Sequence, residues 1–511
     1  MEKKAVRNRI VFGVLLAAVG GLMLGLGLEF YGAVWFLAPF AVVPMVVAQY
    51  RFFPRKWSGL AMGVMWLVYF QMAYYVAIRQ LVPWWVGVVL AIVMALVGTL
   101  LGSFDRIFNE RTGFRFYLLT MPAVWVGWDF LISGNLIQST EGQIQYMLGK
   151  APILIQPISL IGAPALAYVM LMFGSAIGLA IVRWMDSRTP PVDSPALSAA
   201  AFKKIFITAM ALTLVWALVS VGLFYRTQAS LGPTVRIAAI QVGAGTGFDA
   251  AGMGEFNPKV KEVLERLSRQ AAADGAKLLV WPELALNFDP RVTNKEWLPG
   301  LAQETKTYLQ AAWFFTDPAG DQHNTAGLWA PDGQLLGVYN KINPVPVAGE
   351  WFSQPISYPV FDTAIGRIGM LICFDASFYY PSRNLATNGA QILASSNGNW
   401  KDAAVNRMAT AQFRAVENNV GFVKEELITG AAMIDPTGTV VAATTIPAGE
   451  DIPGAYLIGD LALGQGTTVY DFIGDFFGQL CVLGLFLRIY FQILVHRTAI
   501  EKKRTDLFID S

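Results

Sequence analysis

Long apolar blocks separated by short polar joints fill the first 225 residues of the chain. The blocks lie near 10–28, 31–50, 58–78, 84–103, 117–133, 153–182 and 205–225. Each approaches the roughly 20 residues that a helix needs to cross a bilayer core. The second block contains Pro39 and Pro44, which a spanning helix tolerates where neighbours satisfy the freed carbonyls. The first block runs straight on towards later spans with no small-residue cleavage site after it, so it is expected to be retained rather than removed as a signal.

After residue 226 the pattern shortens. VRIAAIQVG (235–243) predicts a strand, and KVKEVLERLSRQAAADGA (259–276) has helical spacing and ends at a glycine. KLLVWPEL predicts another strand, and TAGLWAPDGQLLGVYNK a hairpin around Pro-Asp-Gly. IGRIGMLICFD and QILASSNGN predict short buried strands, each followed by a helix-like run. ITGAAMIDPTGTVVAATT predicts a second hairpin, and 476–495 one more span. The expected fold is a multi-pass α-helical membrane domain of about eight transmembrane helices plus a layered α/β sandwich. The domains expected are 1–225 (seven helices), 226–470, and 471–511 (the final helix and a tail).

Composition agrees with a membrane protein: 55% of the residues are hydrophobic and only 14% charged. A net charge of +2 without a large basic cluster gives no reason to expect nucleic acid as a partner. Two cysteines far apart in sequence and two scattered histidines exclude a His/Cys zinc site and make a disulfide unexpected. No metal and no cofactor are predicted.

Charge distribution sets the expected orientation. Lys3, Lys4, Arg7 and Arg9 precede the first span, and Arg51, Arg55 and Lys56 follow the second. Arg106, Arg111 and Arg115 follow the fourth, and Arg183, Arg188, Lys203 and Lys204 flank the Pro/Ser-rich joint after the sixth. Arg497, Lys502, Lys503 and Arg504 follow the last, whereas the alternate joints hold only Arg79 and Lys150. Both termini are therefore expected in the cytoplasm and residues 226–470 on the outer face. Ionisable residues within the spans are few: Glu29 and Arg488 near ends, and Asp129, which reads equally well as a helix-pairing residue. A proton- or ion-coupled transporter would carry more, so the membrane half reads as an anchor or a lipid-facing surface.

Three strands run out into a polar residue: LLVWPEL at Glu283, GVYNKINP at Lys341 and GMLICFD at Cys373. Taken singly, a strand-end Glu or Lys is usually a solvated tip, and a strand-end Cys is core filler. Side chains just past strand ends in layered α/β folds can converge in one crevice. A thiol needs a base or a stabilised thiolate to act as a nucleophile. A carboxylate can be that base if partial burial raises its pKa towards neutrality. A nearby ammonium can favour the thiolate and balance charge on a tetrahedral intermediate.

WPE, a Lys after a hairpin, ICFD and SSNGNW together resemble the Glu–Lys–Cys pattern of the nitrilase, or carbon–nitrogen hydrolase, superfamily, and RAVENN (414–419) is similar to its helix after the active-site strand. With seven spans before this domain and one after it, the chain resembles, over essentially its full length, the apolipoprotein N-acyltransferase family. VWVGWDFL and TTVYDFIGD are similar to that family's membrane segment and its entry into the last helix.

The resemblance implies an αββα nitrilase-like catalytic domain on the extracytoplasmic face of a bacterial cytoplasmic membrane, in a monomer. It implies Glu283 as general base, Cys373 as nucleophile and Lys341 as charge stabiliser. Cys373 takes an acyl chain from a phospholipid as a thioester and passes it to the N-terminal amine of a diacylglyceryl-apolipoprotein. The Phe374 amide helps hold the oxyanion. Glu350 matches the family's second glutamate, though by itself it reads as a loop-capping or solvated residue, and Asp375 stands where the family has the longer acid. Trp351, Phe352, Phe374, Phe378, Tyr379 and Trp400 are expected to line an opening for acyl chains.

Several loops depart from the family pattern. The Lys341–Glu350 loop is one residue longer, Ile132 replaces a basic residue, and NLIQSTEGQIQY and KEELITG replace family segments. The last of these brings Glu425 and Glu426 close to expected substrate contacts. Two alternatives stay open: a membrane-anchored amidase with water as acceptor, and a catalytically silent scaffold. A transferase needs an apolar opening at the bilayer surface, whereas a hydrolase of small amides would have a closed polar pocket.

Overall fold

The computed structural model describes residues 2–28, 34–77, 79, 82–134, 139–189, 197–243, 258–351, 355–399, 401–428, 430–444 and 454–491. The membrane half begins with α1 (Glu2–Gly27) and a broken segment that passes from a 3₁₀ turn (Trp35–Phe40) through α2 (Val42–Val47) to a π turn (Ala48–Phe52). Buried Arg106 donates to the carbonyls of Gln49 and Phe53 (both 2.8 Å), so the irregular backbone is satisfied within the protein. Next come α3 (Leu60–Ala77), α4 (Trp84–Arg111) and α5 (Tyr117–Ile132).

The block expected as one span from 153 to 182 is interrupted. A short α6 (Ile158–Ile161) ends at Gly162, and the long helix α7 (Ala163–Arg188) starts only there. Gly162 takes φ +83°, and a Cβ on it would lie 2.9 Å from the Tyr470 ring, so only glycine makes this turn. Helix α8 (Ala199–Ala229) then leads out of the membrane half. Among the described residues, five helical stretches are long and apolar enough to cross a membrane, and Tyr117–Ile132 and Phe476–Phe491 are shorter apolar helices. Large apolar side chains on α4 and α8, such as Leu96 and Leu218, point outward as lipid contact requires. Helix α5 and the final helix approach closely, because a Cβ on Gly127 would lie 2.4 Å from the Cys481 carbonyl oxygen. Asp129, the intramembrane acid, accepts a 3.0 Å bond from Trp125 Nε1 on its own helix.

Residues 234–462 form two packed six-stranded sheets. The first contains β1 (Thr234–Gln241), β2 (Leu278–Val280), β3 (Tyr308–Thr316), β4 (Gln322–Trp329) and β5 (Leu335–Asn340). The second contains β6 (Val360–Thr363), β7 (Gly366–Ile372), β8 (Ile392–Ser396), β9 (Gly421–Lys424), β10 (Ala432–Ile434) and β11 (Val440–Ala443). Strand β12 (Ala455–Ala462) returns to the first sheet, giving the orders β12-β1-β2-β3-β4-β5 and β11-β10-β9-β8-β7-β6. Because side chains alternate along a strand, Ile237 and Ala239 enter the core between the sheets while Ala238 and Ile240 pack outward.

Outside the first sheet lie α9 (Pro258–Ala273) and α10 (Trp297–Thr305). Helix α9 buries Val260, Leu264, Leu267 and Ala271, one stripe at helical spacing. Outside the second sheet lie α11 (Tyr379–Thr387) and α12 (Lys401–Asn418), completing an αββα sandwich. Helix α12 is buried on both sides: Ala411 and Ala415 face the sheet, while Ala409, Phe413 and Val416 join the membrane-half core. A short α13 (Val469–Ile473), capped by Thr468, leads into the final helix.

Candidate active site

Glu283 follows β2 and Lys341 follows β5 in the first sheet, while Cys373 follows β7 in the second. The packed sheets thus bring all three strand ends together at one edge of the interface. Gln310 and Ser396 hold the sheets in register there: Gln310 Nε2 donates to Ser396 Oγ (2.9 Å), and Ser396 Oγ donates to the Trp281 carbonyl (2.7 Å). At Cys373 the chain leaves the strand with φ +46° and enters a 3₁₀ turn. Such a conformation costs a non-glycine residue about 1–3 kcal/mol and recurs at functional sites.

Glu283, Lys341 and Cys373 are all buried. Lys341 Nζ donates to Glu283 Oε1 (2.8 Å) and to both Glu350 oxygens (2.8 and 2.7 Å). Glu283 also accepts from Asn324 Nδ2 (2.8 Å) and from the Gly398 amide (2.9 Å). Burial acts to raise the Glu283 pKa, but the Lys341 charge and these hydrogen bonds, with one from the Cys373 thiol, hold it below the usual range. This corrects the expectation that burial would carry Glu283 towards neutrality. Burial raises the Glu350 pKa, opposed by Lys341 and helped by Glu283. Burial lowers the Lys341 pKa, yet Glu283 and Glu350 outweigh it and fix the ammonium. Burial and Glu283 push the Cys373 thiol up, so sulfur is protonated at rest. The result is a neutral thiol beside an ionised acceptor.

Asp375 does not face the thiol. Its carboxylate accepts from Tyr339 Oη (2.8 Å), the Asn343 amide (2.8 Å) and Asn343 Nδ2 (3.0 Å), pinning the chain just after Lys341. Burial raises it to about 6. Phe374 and Phe378 stack edge to face and bury against Val345. Tyr379 turns towards the membrane half, donating to Gln143 Oε1 (2.8 Å). Trp351, expected at the site, is 72% exposed; its position is set by its amide donating to Gln322 Oε1 (2.8 Å). Trp400 and Phe352 lie outside the described residues. Glu425 and Glu426 are buried, and Glu426 accepts from Lys424 and from Asn399 Nδ2.

Two neighbours of the sulfur, Asn399 and Arg407, and the partner of the second, Glu141, were not singled out from the sequence. Cys373 Sγ donates to Asn399 Oδ1 (3.3 Å) and accepts from Arg407 Nη1 (3.2 Å). Arg407 Nε in turn donates to Glu141 Oε1 (2.7 Å). Glu141 belongs to the membrane half, so that half is more than an anchor: it reaches the site. Thr140 beside it donates through both its amide (3.1 Å) and Oγ1 (2.8 Å) to the Ser377 carbonyl, in the turn that carries Cys373. The cavity adjoining the thiol is small and of mixed character, lined by Ala376, Ala411 and Phe422 as well as Ser377, Asn397 and Arg407. Its volume, about 10 Å³, has room for a single water.

Residues 236–466 match the carbon-nitrogen hydrolase family. Over 92% of its length the chain is 28% identical to the apolipoprotein N-acyltransferase of Geobacter metallireducens, covering 93% of that protein. Over 96% it is 22% identical to apolipoprotein N-acyltransferase 1 of Treponema denticola, covering 98% of it. A nitrilase of Pyrococcus abyssi is 30% identical over 27% of the chain and 61% of its own length. The chain is thus a membrane-protein homologue of the apolipoprotein N-acyltransferases, and residues 236–466 are its carbon-nitrogen hydrolase domain.

Proposed function

We propose that this protein moves an acyl chain from a phospholipid to the N-terminal amine of a diacylglyceryl-apolipoprotein, through a thioester on Cys373. The observation that carries this reading is the full-length similarity to apolipoprotein N-acyltransferases, joined to a buried Glu–Lys–Cys cluster that a membrane-half residue reaches. Glu283 takes the thiol proton as sulfur attacks the ester carbonyl, and Lys341 and the Phe374 amide balance the oxyanion. The C–O bond breaks, and the lysophospholipid leaves with the proton from Glu283. The acceptor amine then attacks the thioester, Glu283 takes a proton from nitrogen, and that proton returns to sulfur as the C–S bond breaks. Because Glu283 is held ionised and the thiol neutral, proton transfer accompanies attack rather than preceding it.

In this reading residues 1–225 are the first membrane domain, 226–470 the catalytic domain and 471–511 the last helix with its tail. The protein sits in the bacterial cytoplasmic membrane with both termini inside and the catalytic domain outside, as the Lys/Arg distribution supports. It acts as a monomer.

One observation favours the second reading, hydrolysis with water as acceptor: the cavity at Cys373 is small, with room for a single water. One experiment separates the two. The purified protein is incubated with phospholipid vesicles and a diacylglyceryl peptide, and Cys373 and the peptide N-terminus are followed by mass spectrometry. Acyl transfer requires an acyl adduct on Cys373 that appears on the amine. Release of free fatty acid without N-acylated peptide would replace transfer by hydrolysis.

A further inference from the structure

Lys341 has no donor to spare in this arrangement. An ammonium has three N–H groups, and its three hydrogen bonds go to Glu283 and to the two oxygens of Glu350. Its charge is shared between two carboxylates, one of which stands against the sulfur. A thiolate formed there meets the negative field of Glu283, and a second cation is needed to offset it. Arg407 is that cation. Its Nη1 lies 3.2 Å from Sγ, it is buried, and its Nε is paired with Glu141 at 2.7 Å. Asn399 Oδ1 accepts from the same Nη1 and from the thiol, so the amide fixes the guanidinium against the sulfur. Phe374 packs its ring under the guanidinium, 5.2 Å from the Arg407 Cζ.

We propose that Arg407 is a catalytic residue acting on the Cys373 sulfur, and that Glu141, supplied by the membrane half, is the positioning residue that aims it. As Glu283 takes the thiol proton and sulfur forms its bond to the acyl carbon, the Arg407 N–H holds the developing negative charge on sulfur. When the C–S bond later breaks, the electron pair returns to sulfur facing the same N–H until the proton comes back from Glu283. Glu141 Oε1 also accepts from Ser377 Oγ, so one carboxylate ties the guanidinium to the turn that carries the nucleophile. The membrane half therefore takes part in tuning the thiol. The proposal rests on the function given above only in taking Cys373 as the nucleophile; the identity of the acceptor does not enter.

The test is the pH profile of Cys373 alkylation by iodoacetamide in the full-length protein in detergent. Peptide mapping separates it from Cys481. Losing an opposite charge within hydrogen-bond distance should move the Arg407→Gln profile upward by about 1–3 pH units, with a matching loss of rate at fixed pH. Arg407→Lys should recover part of the shift, and Glu141→Gln should move the profile in the same direction by less. In acyl transfer, kcat should fall with little change in KM. Should Arg407→Gln fail to fold, Glu141→Gln, which lies outside the hydrolase domain and keeps the arginine, carries the test. Profiles that superimpose on the parent would overturn the proposal. A shifted profile in a protein that transfers no acyl chain would leave Arg407 in its role and remove the transferase reading instead.

Discussion

Lys341 Nζ and Glu283 Oε1 stand 2.8 Å apart with both side chains almost wholly buried. The ammonium is what keeps two acids, Glu283 and Glu350, in one enclosed space. Lys341→Met keeps most of the volume and deletes the charge. Removing one partner of a buried pair costs about 3–5 kcal/mol, so thermal unfolding in detergent should shift clearly downward and the Cys373 adduct should disappear. Glu350→Gln should cost less, because Lys341 keeps Glu283. Equal unfolding temperatures for all three proteins would mean that water, not protein, screens these charges.

The acid limb of the reaction follows from the depressed Glu283 pKa. A general base works only when unprotonated, so activity falls as pH falls through its folded pKa. That pKa is held below the ordinary glutamate value of about 4.3, so thioester formation should be flat through mildly acidic pH. Asn324→Ala removes a donor to the carboxylate and should move the limb to higher pH. A limb near neutrality in the parent protein would contradict the geometry.

Asp375 gives a stability signal of opposite sign. Its folded pKa, raised by burial to about 6, exceeds the unfolded value of about 3.9. Between those values the native state holds the extra proton, so the contribution to stability is complete below about pH 4 and is lost as pH rises through about 6. Asp375→Asn should flatten that part of the unfolding temperature–pH curve. It should also weaken the hold on Ile342 and Asn343, at about 1–3 kcal/mol for a donor left unpaired. Unfolding temperatures from pH 4 to 7 for both proteins decide it.

Docking of the two halves can be probed at Glu417. Its Oε1 accepts from the Ala163 amide at the start of α7 (2.9 Å), and its Oε2 pairs with buried Arg414. Glu417→Ala leaves Arg414 without that carboxylate and uncaps α7, so a loss of about 3–5 kcal/mol is expected. Limited proteolysis at the junction should accelerate in step. Unchanged cleavage would show that α12 stays docked through its other contacts, among them Phe413, Val416 and the Arg407–Glu141 pair.

The convergence of Glu283, Lys341 and Cys373 was legible because each ends a short apolar strand, and the order WPE, YNK and ICFD survives in the linear sequence. The membrane runs were legible because hydropathy reports length and apolarity. Hydropathy could not register the break at Gly162, where PILIQPISLIG is as apolar as a helix and only backbone conformation differs. Strands β3, β9 and β12 were missed because YLQAAWFFT, GFVK and AYLIGDLA lack clear alternation; the first two are buried almost throughout. Arg407 and Glu141 were invisible for another reason. A charge on a helix next to Asn406 reads as a solvated face, and a glutamate in a polar joint reads as a tip. Their pairing exists only once α12 is docked on the membrane half.

Strands β1 and β12 lie side by side, with Thr234 opposite Ala462 and Gln241 opposite Ala455. The hydrolase domain therefore leaves α8 and rejoins the membrane half through neighbouring points, like a clasp fastened at one hinge. Closing a loop whose ends already touch costs the host fold little, and domains with adjacent ends are the ones most readily spliced into another protein. This architecture lets a whole domain be set between two apolar helices, with both of its connections held at one edge of the same sheet.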